Sequence, residues 1–437
     1  MPQPQHVLIV GAGCFGLSTA IHLLSRGYRI TVVDRAATLP APDAASTDLN
    51  KIVRSSYADP FYASLLERPS ITGRVVDGEI SIMSDGRYLS GVMNLIPIDR
   101  PDSYMHAAYE NDKALGSQIT GLLNATSIAD HFPKGLRLGS RTAAGYLNIE
   151  GGWANASEGI RRAVDIVRAG NGEILEGREV SHVNFGTAGQ AGGVTLVSGE
   201  IIDADVTIIA TGSWTGSLLS DVALGLDDRI LATGQSLGTV TLSDEEADLY
   251  RKCPVVLDFD TGFYLFPPNA ENVMKVAIHD KGYVNMQRPT PSIGSRLVST
   301  PRTITSHPVD GTAIPREMVD RLHSGLASIY PDLAASHSFD TTRLCWYTDT
   351  PDANWLIDFH PEHPGVLFAT GGSGHAYKFL PVIGRLVADR LEGKLDPDLA
   401  ARFSFTRPRK AEDGTRLDQT HRNLDEQALS LDYIPEN

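Results

Sequence analysis

The sequence predicts an α/β protein of two domains, in which a parallel-sheet domain is interleaved with a domain built on an antiparallel sheet. A strand, a helix and a second strand are predicted within residues 5–34 from their apolar periodicity. Two later apolar strands, which end at Gly212 and Gly371, close in similar small-residue turns. Residues 226–335 have the pattern of antiparallel strands with helical insertions. Signals for the first domain therefore recur at the start, middle and end of the chain.

The first strand, turn and helix carry a complete dinucleotide-binding pattern. The apolar strand leads into Gly11-x-Gly13-x-x-Gly16, and a second apolar run ends in Asp34, followed by Arg35. Gly11 allows the tight turn, Gly13 lets the backbone approach a pyrophosphate, and Gly16 lets helix and strand pack closely. An acidic residue at the position of Asp34 binds a ribose hydroxyl. We therefore expect a Rossmann domain with a redox cofactor; the alternatives are a tight turn without ligand and, from this pattern alone, an NAD-dependent dehydrogenase.

The remaining elements of this domain follow in order along the chain. A helix near Glu158–Ala169 leads to a strand near Glu173. Residues 194–212 read as a hairpin that runs into a buried strand. A strand from Val366 ends in a glycine-rich turn, and a helix follows at Ile383–Leu391. Each strand is short and apolar, as expected for a sheet that is covered on both faces.

These signals set the domain boundaries that we expect. The nucleotide-binding domain combines residues 1–60, 140–225 and 336–437, and the second domain combines residues 61–139 and 226–335. A chain of 437 residues is long enough to bury two cores.

Composition excludes several classes of protein. A net charge of -15 disfavours a nucleic-acid binder, since such affinity depends on clustered Lys and Arg. Three cysteines argue against a disulfide framework and fit a reducing compartment. No secretory signal, membrane-spanning run, peroxisomal C-terminal signal or metal-ligand spacing is evident. We expect an intracellular, cytoplasmic protein that binds neither a membrane nor a metal.

Two C-terminal motifs make a resemblance specific. Cys345-Trp-Tyr-Thr-Asp-Thr-Pro is followed by Asp358-Phe-His360-Pro and by Gly371-Gly-Ser-Gly-His-Ala-Tyr-Lys378. Together with the N-terminal turn, these motifs resemble the monomeric sarcosine oxidase family, which includes fungal pipecolate, saccharopine and fructosyl-amino-acid oxidases. The resemblance covers nearly the whole chain. It implies a monomer with a glutathione-reductase-like FAD domain, and oxidation of a secondary amine by O2 with release of hydrogen peroxide.

The resemblance also implies how the cofactor is held. In this family the cysteine that corresponds to Cys345 carries FAD through an 8α-thioether, although a lone cysteine of this kind is more often an inert buried thiol. A basic residue that corresponds to Lys51 lies over the flavin face. The candidate cofactor-binding residues are Gly11, Gly13, Gly16, Asp34, Arg35, Lys51, Cys345, Gly372, Gly374 and Lys378.

Three strand residues are candidates for catalysis. Lys275 lies in the apolar run Val-Met-Lys-Val-Ala and resembles the family's oxygen-activating lysine, a fixed cation that stabilises developing superoxide. His279 corresponds to a substrate-side histidine, and Tyr264 to an active-site tyrosine. The alternatives are a solvated strand lysine, a core histidine and a core aromatic residue.

Two cations are candidates for binding a substrate carboxylate. Arg54 and Lys378 correspond to the positions that hold the carboxylate in sarcosine oxidases, and arginine binds carboxylates in a bidentate manner. Ordinary surface ion pairs are the alternative for Arg54 and Lys51. Fructosyl-amino-acid oxidases have Glu at the position of His279 and a small residue at that of Arg54, so the chain departs from their pattern at two sites.

These observations favour an FAD-dependent oxidase of N-alkyl or cyclic amino acids of the sarcosine, pipecolate, proline or saccharopine type. The alternatives are a fructosyl-amino-acid oxidase, a tailoring amine oxidase of a biosynthetic pathway, and a flavin-binding protein without catalysis. The last follows from a departure after Glu67. Pro69 and Gly73 interrupt a helix that the family continues, and residues 68–85 are either a genuine variation or a sequence error.

Overall fold

The computed structural model describes two large sheets, each with helices packed against it. The described residues are 5–66, 87–96, 103–185, 191–218, 226, 228–288, 297–408 and 421–433. The unusual segment at 68–85 lies outside them, so the prediction made from it is not addressed by the structure. Among the described residues, no helix is both long and apolar enough to cross a membrane.

The smaller sheet has six strands and confirms the predicted α/β class. In spatial order the strands are Leu356–His360, His363–Thr370, Val206–Ile209, His6–Val10, Arg29–Val33 and Glu173–Leu175. Neighbours are parallel except for the first two, which form a hairpin. The strands predicted in three separate parts of the chain therefore assemble into one sheet.

Three helices pack together beside this sheet: Cys14–Ser25, Ala156–Ala169 and Leu380–Leu391. The second begins where the Asn155 side chain accepts a hydrogen bond from the backbone of Glu158, which satisfies one of the free N–H groups of the first turn. The first and third are fastened by Ser18, whose hydroxyl donates to the Leu380 carbonyl at 2.6 Å. The helices expected at 158–169 and 383–391 are thereby confirmed.

The glycine-rich turn is fixed by close approach of backbone to backbone. Gly11 has φ +107°, and a Cβ there would lie 2.5 Å from the Ala210 carbonyl oxygen. A Cβ at Gly16 would lie 1.9 Å from the Gly11 oxygen. At Gly13, by contrast, the nearest atom to such a Cβ is Ser46 Oγ at 3.5 Å. Gly11 and Gly16 are therefore required by the fold, whereas a Cβ at Gly13 would make only an ordinary van der Waals contact with the protein.

The larger sheet has ten strands, mostly antiparallel. Nine follow one path, in the order Arg422–Asn423, Tyr283–Val284, Leu231–Thr241, Val273–Ile278, Phe263–Leu265, Val255–Asp258, Val92–Leu95, Gly145–Asn148 and Ile119–Leu122. The tenth, Thr341–Asp349, also pairs with Leu231–Thr241. The antiparallel sheet expected within 226–335 thus takes in strands from three further segments, and the domain boundaries stay a prediction.

The other elements are shorter or lie at the edges of these sheets. Small sheets are formed by Lys51–Val53, Gly152–Ala154 and Arg87–Tyr88; by Val180–Phe185, Ala191–Leu196 and Ile201–Ile202; by Met286–Gln287 and Val298–Ser299; and by Ile314–Pro315 and Leu429–Ser430. The remaining α-helices are Pro60–Leu66, Tyr104–Ala114, Ala125–Ala129, Thr215–Leu218, Asp244–Tyr250, Arg316–Ile329, Pro331–Ser336 and Pro397–Arg402. Single 3₁₀ turns lie at Gly212–Trp214, Tyr377–Phe379 and Leu424–Glu426.

Candidate active site

Side chains of the strand Val273–Ile278 alternate between the two faces of the sheet, and Lys275 lies on the face away from the core. Met274, Val276 and Ile278 pack into the core of the larger sheet. Successive side chains of a strand point to opposite faces, so Lys275 and Ala277 face the other way. An apolar run with one lysine therefore delivers a single cation to one face of the sheet.

The strand Thr341–Asp349 places Cys345 on the same face. Leu237 on the intervening strand pairs with Ala277 on one side and with Arg343 on the other. Residues at alternate positions from Arg343, namely Cys345 and Tyr347, therefore share the face of Ala277 and Lys275.

A buried carboxylate, Asp48, holds three cations at this face. Asp48 Oδ2 lies 2.8 Å from Lys275 Nζ and 2.7 Å from Lys51 Nζ, and Oδ1 lies 3.0 Å from Arg343 Nη2. The side chains of Asp48 and Lys275 are only 2% and 1% exposed. Lys275 Nζ also donates to the Asn50 carbonyl at 2.6 Å. The ammonium group of Lys275 is thus fixed in position, and the alternative of a solvated strand lysine is wrong.

Burial and charge act in opposite directions in this cluster. Burial lowers the pKa of Lys275 to about 8, with Asp48 opposing the shift and Lys51 adding to it. Burial alone would raise the pKa of Asp48, but Lys275, Lys51 and Arg343 outweigh it and hold the pKa well below its usual range. The pKa of Lys51 is raised because Asp48 outweighs the cost of burial. Asp48 is therefore ionised at neutral pH, whereas Lys275 titrates near it.

Cys345 lies beside this cluster in a mostly apolar environment. Lys51 Nζ is 3.6 Å from Cys345 Sγ and can donate a hydrogen bond to it. The thiol is 5% exposed and packs with Leu237, Ala277 and Tyr347. The structure therefore brings together Lys51, Lys275 and Cys345, which are far apart in the sequence.

Tyr264 and His279 both lie next to Tyr347. Burial, the charge that Tyr347 would carry when ionised, and a hydrogen bond with Tyr347 raise the pKa of Tyr264 well above its usual range. The His279 and Tyr347 rings have their centroids 6.3 Å apart, and both His279 and Tyr264 are half-buried. Tyr264 is therefore a neutral phenol at the edge of the apolar packing around Cys345.

Arg54 and Lys378 form a second group of cations, without a carboxylate. The Arg54 guanidinium donates a hydrogen bond to the Tyr104 hydroxyl, and it lies 5.1 Å from the Tyr57 ring centre and 5.5 Å from that of Phe259. Its Nη1 is buried and has no hydrogen-bond partner in the described part of the chain. Lys378 is 6% exposed, and its Nζ donates to the Tyr57 hydroxyl at 2.7 Å. Neither cation has an ion-pair partner among the described residues, so the alternative of surface ion pairs fails for Arg54.

The acidic residue Asp34, which follows the second strand, lies at the glycine-rich turn. Asp34 accepts hydrogen bonds from the backbone of Ala12 at 2.8 Å and of Ala36 at 2.9 Å, which ties it to the glycine-rich turn. A carboxylate has further lone pairs for a ribose hydroxyl. Arg35 stacks on the Trp214 ring at 4.3 Å.

The C-terminal glycines let their turn pack against the sheet face that carries Cys345 and Tyr347. Gly374 has φ +75°, and a Cβ there would lie 2.3 Å from the Tyr347 ring. At Gly372 such a Cβ would lie 3.2 Å from the Ala376 Cβ and 3.4 Å from the Phe15 ring. These two glycines therefore permit close packing between the C-terminal turn, the first helix and the strand of Cys345.

Several residues of the site were not predicted from the sequence. Arg343 and Tyr347 lie two positions on either side of Cys345, so strand alternation could have indicated them. Asp48 had no such signal, because it meets Lys275 across 227 residues of sequence. The functional roles of all the candidate residues stay predictions.

Comparison with known proteins identifies the family. The protein-family model described as "DAO: FAD dependent oxidoreductase" matches residues 6–390. The chain belongs to this family. It is 29% identical over 409 residues to L-saccharopine oxidase of Schizosaccharomyces pombe, covering 90% of this chain and 91% of that one. It is 27% identical to monomeric sarcosine oxidase of Streptomyces avermitilis, covering 89% and 94%. A fructosyl peptide oxidase from E. terrenum matches with TM-score 0.85 and 25% identity over 98% of each chain.

The residues present fit the FAD of this family. The helix that begins at Cys14 has no side-chain cap at Gly13, so its first N–H groups are open to a pyrophosphate. Next to Lys51, the buried Asn50 amide has both its nitrogen and its oxygen without a hydrogen-bond partner in the described structure. Buried polar atoms are rarely left unpaired, and such a donor and acceptor suit the polar edge of a flavin ring.

Asp48→Asn is expected to destabilise the protein by about 3–5 kcal/mol, because it leaves buried cations uncompensated. Because the folded-state pKa of Asp48 is depressed, its contribution is present above the unfolded value of 3.8 and is lost as the pH falls below it. Denaturant unfolding near neutral pH measures the loss.

Asp165→Asn is the matched control, since that carboxylate is 56% exposed in its pair with Arg161. We expect it to change stability by less than about 0.5 kcal/mol. Equal effects of the two substitutions would show that Asp48 does not stabilise the cluster.

Proposed function

We propose that this protein is an FAD-dependent oxidase of secondary amino acids, either N-alkyl or cyclic, that reduces O2 to hydrogen peroxide. The observation that carries the proposal is the pair Arg54 and Lys378: Lys378 is buried, one guanidinium nitrogen of Arg54 is buried without a hydrogen-bond partner, and no carboxylate of the described residues pairs with either. Uncompensated buried charge is costly, and a substrate carboxylate would compensate it with charge-assisted hydrogen bonds. The relatives named for saccharopine and sarcosine oxidation support the same substrate class.

Bound FAD supplies the redox chemistry, accepting a hydride from the carbon next to the amine nitrogen and passing the electrons to O2. The protein orients the amino acid through Arg54 and Lys378, with Tyr264 and His279 on the substrate side. Lys275 provides a fixed positive charge for oxygen reduction, held in place by Asp48. The chain thus presents substrate binding and oxygen activation on separate groups of residues.

Fructosyl amino acids are the second candidate substrate class. The structural match to a fructosyl peptide oxidase over 98% of each chain favours it. A peroxide assay with sarcosine, pipecolate, proline, saccharopine and a fructosyl amino acid tests both classes. Peroxide from the fructosyl compound alone would replace the first proposal, whereas peroxide from any of the other four would support it.

Arg54→Ala is expected to raise KM for amino acids by about thirty- to four-thousandfold, because one partner of a buried charge pair is worth about 2–5 kcal/mol. Amines of the same shape without a carboxylate should be oxidised with unchanged KM. Steady-state peroxide formation with matched pairs of substrates measures the difference. An equal effect on both kinds of amine would contradict a carboxylate-binding role.

Covalent attachment of FAD through Cys345 belongs to the same proposal. The hydrogen bond that Lys51 can donate to the sulfur supports Cys345 as the attached residue. Formation of the 8α-thioether removes two protons and two electrons, and the O2 that the proposed reaction consumes accepts the electrons.

Cys345→Ala is expected to release flavin into the supernatant on acid precipitation, whereas the native protein retains it in the pellet. Cys253→Ala is the control, because Cys253 is also buried but packs in the core of the larger sheet. It should retain the flavin. Free flavin from the native protein would disprove the attachment.

The pH dependence of flavin reoxidation tests Lys275. Its pKa is about 8, so the charge is present below that pH and is lost above it. We expect the reoxidation rate constant to fall as the pH rises through about 8, and Lys275→Met to slow reoxidation by about 10²–10³-fold without this break. Rapid mixing of reduced enzyme with O2 measures both.

Lys51→Met is the matched variant. Since the charge of Lys51 lowers the pKa of Lys275, its removal should move the break to higher pH. A reoxidation rate that is constant from pH 6 to pH 10 in the native protein would contradict the role of Lys275.

A further inference from the structure

Lys378 lies against aromatic rings, but burial and the charge of Arg54 outweigh the attraction of those rings for its ammonium group. Its Nζ is 4.9 Å from the centre of the Tyr57 ring and 5.9 Å from that of Phe379. Burial, and then the charge of Arg54, hold the pKa of Lys378 well below its usual range. No carboxylate of the described residues lies within 4 Å of this ammonium group. A site without ligand therefore favours the neutral amine.

A directed chain of hydrogen bonds leads away from Lys378. The Ala353 carbonyl can only accept, so His375 Nε2, at 2.9 Å, carries a hydrogen. In the neutral ring Nδ1 is then an acceptor, and the Tyr57 hydroxyl donates to it at 3.1 Å. The same hydroxyl oxygen accepts from Lys378 Nζ at 2.7 Å. Tyr57 therefore joins the amine to the imidazole, with each hydrogen bond pointing toward His375.

His375 is placed to hold a positive charge and to reach water. Its ring is half-buried and follows the exposed Gly374. Aromatic rings surround it, with centroids at 4.8 Å for Tyr62 and 5.8 Å for Trp355. Aromatic faces attract cations. Besides Lys378, Tyr57 and His375, the charged or titratable side chains of the described residues that face these hydrogen bonds include Arg54 and Tyr62, and Arg402 lies 6.0 Å from the Tyr62 ring.

We propose that Lys378, Tyr57 and His375 form a proton relay that charges Lys378 when a carboxylate binds and discharges it when the site empties. The relay rests on the proposed carboxylate site at Arg54 and Lys378. In discharge, Lys378 Nζ gives a proton to the Tyr57 oxygen while the Tyr57 hydroxyl proton passes to His375 Nδ1. The products are a neutral amine, an intact phenol and an imidazolium, which exchanges its proton with water. Charging is the reverse.

The relay balances the count of protons when a zwitterionic amino acid binds and loses its ammonium proton. Hydride loss requires a neutral amine, so the substrate ammonium must release a proton. Binding of the carboxylate makes Lys378 more basic, because an opposite charge favours the protonated form. The proton that the ammonium releases and the proton that Lys378 takes up then balance, and binding of the amino acid needs no net change in protons.

Rapid mixing of the holoenzyme with cyclohexanecarboxylate, a carboxylate without an amine, tests the relay. Flavin absorbance follows binding, and a pH indicator in weak buffer follows protons. At about pH 8, the native enzyme should take up about one proton per bound ligand, in step with binding. Lys378→Met should bind the probe more weakly and take up none.

Substitutions of Tyr57 and His375 distinguish a proton relay from simple titration of Lys378. In Tyr57→Phe and His375→Gln the final uptake should stay near one proton, but it should lag binding by at least about tenfold. Tyr62→Phe is the control, since Tyr62 touches the His375 ring but donates its hydroxyl to Asn354. Its uptake should keep pace with binding.

Each contrary outcome has a distinct meaning. Binding of the probe without proton uptake in the native enzyme would overturn the relay and leave the proposed function intact. Uptake in step with binding in both Tyr57→Phe and His375→Gln would also overturn it. No change in flavin absorbance at high concentrations of the probe would contradict the proposed carboxylate site, and with it the relay.

Discussion

The buried carboxylate of Asp48 is the interaction on which the candidate site depends. It joins the loop before strand Lys51–Val53 to two strands of the larger sheet, through Lys275 and Arg343. Without it, three cations would face one another in a medium where desolvation is expensive. With it, the position of Lys275 is fixed and its basicity is lowered only to near neutral pH. One side chain therefore supports both the attachment of this loop to the larger sheet and the charge that the proposed chemistry needs.

Arg54 and Lys378 show the opposite balance of charge. Here Lys378 is buried beside the half-buried Arg54, one guanidinium nitrogen of Arg54 is buried without a hydrogen-bond partner, and no carboxylate of the described residues pairs with either group. Folding stability alone does not favour such an arrangement, since buried charges are normally paired. The protein therefore carries an electrostatic cost that a carboxylate ligand would relieve. The contrast with the Asp48 cluster supports the proposal that this group binds the substrate.

Local pattern was enough for the parts of the structure that depend on neighbouring residues. The glycine-rich turn, the strand that ends before Asp34 and the helix at Ala156–Ala169 were all predictable, because periodicity and backbone conformation act within a few residues. Cys345 and Lys275 were identified through family resemblance. Contacts such as Tyr57 with Lys378, 321 residues apart, were not predictable, because they depend on how separate segments of chain meet in the fold.

The two groups of residues are held at a fixed separation by a single short strand. Lys51–Val53 runs from the Asp48 cluster to Arg54 and pairs with Gly152–Ala154. That neighbour packs closely against the backbone of Tyr88, since a Cβ at Gly152 would lie 1.9 Å from the Tyr88 carbonyl oxygen. A strand rises about 3.3 Å per residue, so Lys51 and Arg54 are about 10 Å apart along it. The fold thereby places the cation proposed for oxygen activation and the cations proposed for the carboxylate near opposite ends of one short strand.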